Sequence, residues 1–213
     1  MLTKMRRLIC LAVLATGCGL PFAAFADAAG DLVFTERGPW NLKDAPVVWS
    51  LNIAGPPEAQ FRQIKDGQIS LIETTDPSDG KAMLQLVEKN PDPNSPLPER
   101  KVGPFPADSG DPSVVFFLET VARDMAAATG GSPFYIRNRM KDAVFRGGEI
   151  RQEADQQVAV FRPFANDPNK ERMAPFDQLE LNFVIRDPKA PIHAMSATTG
   201  GESPAFLFSM EQP

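Results

Sequence analysis

Histidine occurs once in the 213-residue chain, at His193, and cysteine twice, at Cys10 and Cys18. A metal site of two or three histidines cannot be built from this set. A serine–histidine pair would have to rest on His193, and no G-x-S-x-G turn accompanies it. No P-loop and no dinucleotide fingerprint is present, so no cofactor is expected. His193 stands between Ile192 and Ala194 and beside Met195, with no carboxylate at a spacing that would make it an acid or base. It reads as a structural histidine, because catalysis needs a convergent set. Paired carboxylates for sugar hydrolysis remain open, since such partners can be far apart in sequence.

The strongest local concentration of charge is Arg137, Arg139, Lys141 and Arg146 against Asp142. On a helix these cations offer an anion contact: a lipid headgroup, a membrane surface or an acidic partner. Arginine suits that role because its planar fork grips phosphate or carboxylate with two bonds. The competing reading is a solvated face whose arginines pair with nearby carboxylates. Tyr135, the one tyrosine, opens the same segment after Ser132. It either helps a helix N-terminus hold an anion or docks the helix, with its hydroxyl reaching a backbone group. Asn166 to Arg172 is rich in oxygen ligands but lacks the order and glycine of an EF-hand loop, so a capped turn or short helical turn is expected there.

The N-terminus explains where such a protein would work. Lys4, Arg6 and Arg7 precede an apolar run from Leu8, Pro21 ends it, and Ala24-Phe25-Ala26 supplies small residues at −3 and −1 of a cut before Asp27. This is the pattern of a secretory signal, expected over residues 1–26. Leu14-Ala15-Thr16-Gly17-Cys18 resembles a lipobox, so acylation at Cys18 is the alternative, tethering the protein to a membrane. Lys4, Arg6 and Arg7 are three of the 22 basic residues, against 27 acidic ones. Their removal would take the net charge from −5 to about −8. That balance argues against nucleic-acid binding, which draws on phosphate neutralisation. Both cysteines would leave with the signal, excluding disulfides and thiol catalysis from the mature chain.

These residues must be positioned by residues 27–213, which read as one domain. Residues 27–31 form a lead-in and Leu32 to Thr35 a first strand. Val47 to Ala54 alternates with period two. Phe61 to Ile64 and Gln68 to Thr74 flank Asp66-Gly67, a hairpin dipeptide. Ala82 to Glu88 follows a turn, and Asn90 to Pro98 holds four prolines in nine residues, a stiff loop. After a short Lys101 to Phe105 strand the period changes. Asp111-Pro112 and Ser132-Pro133 each give a cap followed by proline at the first helical position, and Gly130-Gly131 and Gly147-Gly148 end the two helices. Val158 to Arg162, Leu179 to Ile185, Ile192 to Ala197 and Phe206 to Met210 are strands.

Strands, two tandem helices, then strands predict the α+β class: a mainly antiparallel curved sheet or partly open barrel, with the helix pair inserted mid-chain and packed on one face. The layout resembles that of periplasmic lipoprotein carriers, an analogy of architecture. The expectation is a periplasmic, non-enzymatic binding or accessory protein, with a hydrophobic or acyl-containing ligand held between sheet and helices. The alternatives are an interaction module of an envelope complex and a carboxylate-dependent hydrolase of envelope sugars. Membrane contact would come through the basic second helix or a lipid anchor.

Overall fold

A computed structural model describes residues 26–38, 42–43, 45–57, 61–108 and 110–213. Residues 1–25, which hold Cys10 and Cys18 and all but the last residue of the signal expected over 1–26, lie outside the described residues. The fold is α+β: one nine-stranded antiparallel sheet, curved and open, with three helices on one side. The strands are β1 (Val47–Ala54), β2 (Ile64–Thr75), β3 (Ala82–Lys89), β4 (Glu99–Pro106), β5 (Glu149–Glu153), β6 (Gln156–Phe161), β7 (Glu180–Ile185), β8 (Ala194–Thr198) and β9 (Leu207–Glu211). They lie in the order β4-β3-β2-β1-β9-β8-β7-β6-β5. Two meanders, one from each half of the chain, are therefore joined by β1 against β9.

The helices are α1 (Ala26–Phe34), α2 (Pro112–Thr129) and α3 (Pro133–Arg146). Asp111 caps α2 by accepting the Ser113 N–H at 2.9 Å, and Pro112 occupies the position where no N–H is needed. Gly130 ends α2 at φ 67°, a conformation that glycine takes without penalty. The inward side of α2 presents Val114, Phe117, Val121, Ala122 and Met125, all essentially inaccessible. The Phe117 ring packs edge-on against Phe183 of β7 at 5.4 Å and Phe208 of β9 at 5.2 Å, so the middle of the helix–sheet interface is filled by aromatic rings. Val115, counted with the apolar circumference of this helix, faces solvent.

Two expectations are corrected. Leu32 to Thr35 is not a strand, and residues 27–31 are not a loose lead-in; the segment belongs mostly to α1. The apolar pair Ala29 and Val33 is spaced four apart and buries one helical face against α3 and β6. A four-residue apolar run does not distinguish strand from helix by itself. Asp66-Gly67 is not a hairpin turn either. It lies inside β2, where the register slips between the pairs Leu51–Gly67 and Ile53–Ile64. Asp66 takes φ 55° and its N–H is held by Asn52 Oδ1 at 2.9 Å, so positive φ serves a bulge here. Edge strand β5, every residue of which is exposed, has no apolar period and is absent from the sequence reading.

Helix α1 also explains Gly30. A Cβ there would lie 2.4 Å from the Val144 carbonyl oxygen of α3. Helix propensity alone favours alanine over glycine by about 1 kcal/mol. Gly30→Ala is nevertheless expected to destabilise the fold by about 1–3 kcal/mol, read as a lower urea midpoint. An unchanged or raised midpoint would show that α1 does not sit on α3 in this way.

Candidate functional site

Four charged residues far apart in sequence meet where α2 crosses the β3–β4 end of the sheet. Leu84, Leu86 and Glu88 alternate onto the helix side of β3, and Glu88 lies directly across from Arg100 of β4. Pairing therefore places a carboxylate and a guanidinium side by side on the buried face. Arg100 NH2 donates to Glu88 Oε2 at 2.7 Å, and Arg62, just ahead of β2, forms a close ion pair with Glu88 Oε1. Glu88 is 1% exposed, so an acid buried this completely stands because two cations meet it. The Arg100 guanidinium also lies 5.4 Å from the centroid of the Phe116 ring on α2.

Helix α2 supplies the other wall. Asp124 lies two turns beyond Phe117 and projects into this cluster at 7% exposure. Its Oδ2 and the Nε of Arg100 are buried without a hydrogen-bond partner. Burial pushes the Asp124 carboxyl up to about 7; Arg62 and Arg100 oppose the rise, Glu88 adds to it, and Arg123 opposes it weakly. A cavity of about 170 Å³ opens beside this carboxyl, lined by Phe61, Arg62, Arg100, Thr120, Arg123 and Asp124 among others. Three guanidiniums thus line one small space, Arg123 at 3.9 Å from Glu119 of its own helix, against a fully committed Glu88 and an Asp124 whose burial favours the protonated form. Such a set can accept an oxyanion. Glu88 is clamped between two cations, which suits charge pairing better than acid catalysis.

The residues singled out in the sequence are not gathered into one site. Arg137 reaches α2, bonding both Glu119 oxygens, with NH2 to Oε2 at 2.9 Å. Arg139 donates from Nε to Asp167 Oδ2 at 2.7 Å. The Tyr135 hydroxyl donates to the same carboxylate at 2.9 Å rather than to a backbone group, and accepts from Asn169 Nδ2 at 3.0 Å. Asp167 also accepts the Asn169 N–H at 2.8 Å and precedes a 3-10 turn, Lys170–Arg172, which is the short helical turn expected there, without a side-chain cap. Tyr135 and Arg139 therefore pin this loop to α3. Lys141 lies 5.9 Å from the Phe145 ring centroid, and Arg146 lines an open groove of about 560 Å³ with Arg139 and Arg162. His193 is buried just ahead of β8, which begins at Ala194 rather than at the expected Ile192, its pKa lowered by burial and then by Arg186, with Glu211 acting against.

Sequence reasoning missed Arg62, Glu88, Arg100 and Asp124. The one available signal was Glu88 at an inward position of an otherwise apolar strand. Among the described residues no cluster of three or more histidines, cysteines or acids is placed to hold a metal, and no helix is long and apolar enough to cross a membrane. No protein-family model, curated protein or solved structure matches the chain.

The Asp124 pKa has a sign that can be checked. An acid whose folded pKa is raised holds its proton in the native state after the unfolded chain has released it. Stability therefore falls as pH rises from about 4 to about 7 and levels off above. Asp124→Asn removes that slope, and at pH 8 the variant is expected to be about 1–3 kcal/mol more stable than the parent. Urea unfolding at pH 5 and pH 8 measures both. Parallel losses in parent and variant would sink the assignment.

Proposed function

We propose that this is an exported, periplasmic, non-enzymatic binding protein whose ligand is a small molecule bearing a carboxylate, sulfate or phosphate group. The observation that carries the reading is the cavity shared by Arg62, Arg100, Arg123 and Asp124. Forked donors facing a confined space recognise planar or tetrahedral oxyanions. The acyl ligand anticipated from the sequence has less support, because Phe117, Phe183 and Phe208 fill the middle of the interface under α2. Export is supported by the basic, apolar and Ala24-Phe25-Ala26 segments of residues 1–26.

An anion entering this cavity stabilises the arginines and opposes an ionised Asp124, so binding and protonation are linked. Sulfate is the useful probe because its charge is constant between pH 6 and pH 8. Calorimetric titration with sodium sulfate, ionic strength matched with chloride, is expected to give saturable binding at pH 6. That binding weakens about tenfold by pH 8, as the protonated fraction of Asp124 falls. Arg123→Gln, at an exposed position, lowers affinity without changing the unfolding midpoint, and Asp124→Asn abolishes the pH dependence. Absence of sulfate binding at both pH values, or indifference to Arg123→Gln, would overturn the reading.

The export half has its own measurement. The mass of the mature protein is expected to place Asp27 first. A diacylated or triacylated Cys18 would make it a tethered protein instead.

A further inference from the structure

The outward side of α3 combines two features that packing does not use. Phe134, Asn138, Lys141 and Phe145 recur at spacings of four, three and four. They form one stripe opposite the buried Ile136, Met140 and Val144. Phe134 is 69% exposed and Phe145 48%. Phe34, at the end of α1, stacks on Phe145 with ring centroids 4.6 Å apart and 2° between planes, and is itself 40% exposed. A single ring at one end of α3 and a two-ring platform at the other thus stand roughly 16 Å apart along the axis.

Basic residues run beside these rings. Lys141 lies within the stripe and Arg146 and Arg137 flank it, while Asp142 is the single acid of the helix. Arg146 makes no ion pair among the described residues, and Arg137 keeps 41% of its side chain exposed while bonding Glu119. In a chain of net charge −5 this helix carries a local excess of positive charge.

We propose that α3 docks this protein on an anionic phospholipid surface. Phe134, Phe145 and Phe34 enter the boundary between headgroups and acyl chains, and Lys141 and Arg146 face the lipid phosphates, Arg137 being committed to Glu119. Charge complementarity selects the surface, since long basic side chains can lie along apolar material while their heads stay at the phosphate level. Separated rings interleaved with cations favour a bilayer over an acidic protein. A protein interface gathers its apolar residues into one desolvated centre with the charges at the rim. The contact is peripheral and reversible. It needs no acyl chain at Cys18, and it is separate from the Arg62–Asp124 cavity.

Vesicle flotation tests it, using the full exported protein carrying Cys18→Ser so that acylation cannot contribute. The protein is expected to float with vesicles containing phosphatidylglycerol, to stay behind with pure phosphatidylcholine, and to lose binding at high salt. The double variant Phe134→Ser, Phe145→Ser should reduce partitioning by about tenfold or more, and Phe134→Ser alone should weaken it with little change in unfolding midpoint, because that ring is 69% exposed. Arg146→Glu should weaken binding to anionic vesicles alone. No flotation with anionic vesicles overturns the proposal, as does flotation indifferent to the ring substitutions. Binding of an acidic protein without vesicle binding overturns it too and assigns the face to a protein partner.

Discussion

The seam between β1 and β9 is the constraint on which the rest of the molecule rests. Five consecutive pairs, from Ser50–Glu211 to Ala54–Leu207, join the first half of the chain to its last residues. The Ser50 hydroxyl reaches the Glu211 carbonyl across 161 positions of sequence. Each meander forms through local hairpins, but neither alone presents a surface broad enough to bury α2. With the seam made, Phe208 of β9 and Phe183 of β7 receive the Phe117 ring. The Trp49 indole N–H of β1 also reaches the Ile192 carbonyl at 2.9 Å, a second tie between the halves. Closing so long a loop costs entropy before any contact repays it, so this pairing forms only together with the core it completes.

Arginine does most of the electrostatic work inside this frame. Arg37, 4% exposed, donates to the Val33 and Leu32 carbonyls at 2.7 Å each and so satisfies the end of α1. Arg137 ties α3 to α2, Arg139 ties it to the loop at Asp167, and Arg62 and Arg100 hold Glu88. In each case the planar fork meets a fixed carboxylate or carbonyl, a geometry a lysine ammonium does not reproduce. The difference between the three carboxylate sites lies in what remains after pairing. At Glu119 and Asp167 the partners are satisfied. Around Glu88 the cations exceed the ionised acids by the degree to which Asp124 keeps its proton, and space is left beside them.

Much of the architecture was legible in the chain, for identifiable reasons. The α2 and α3 boundaries follow from Asp111-Pro112, Ser132-Pro133 and Gly130, whose backbone requirements are local. Strand β7 follows from strict alternation, with Leu181, Phe183 and Ile185 buried and Asn182 and Val184 on the other side. The failures are equally specific. Helix α1 was hidden because its four-residue apolar run fits either period and its partner, Val144, is more than 100 positions away. The bulge at Asp66 was hidden because a positive-φ dipeptide suits a turn as well as a register slip.

The sequence by itself determined the shortage of histidine and cysteine, the α+β class and the place of both tandem helices. All of these depend on residue type, local spacing or backbone preference. Only the tertiary structure decided which charges are spent and which are available. Arg137, Arg139, Lys141 and Arg146 look equivalent along the chain, yet helical rotation sends the first to Glu119, the second to Asp167 and leaves the last two outward. Glu88, Arg62, Arg100 and Asp124 look unrelated, yet strand pairing and the crossing of α2 bring them to one buried space. Contact between residues dozens of positions apart is set by sheet register and helix packing, which no local spacing encodes.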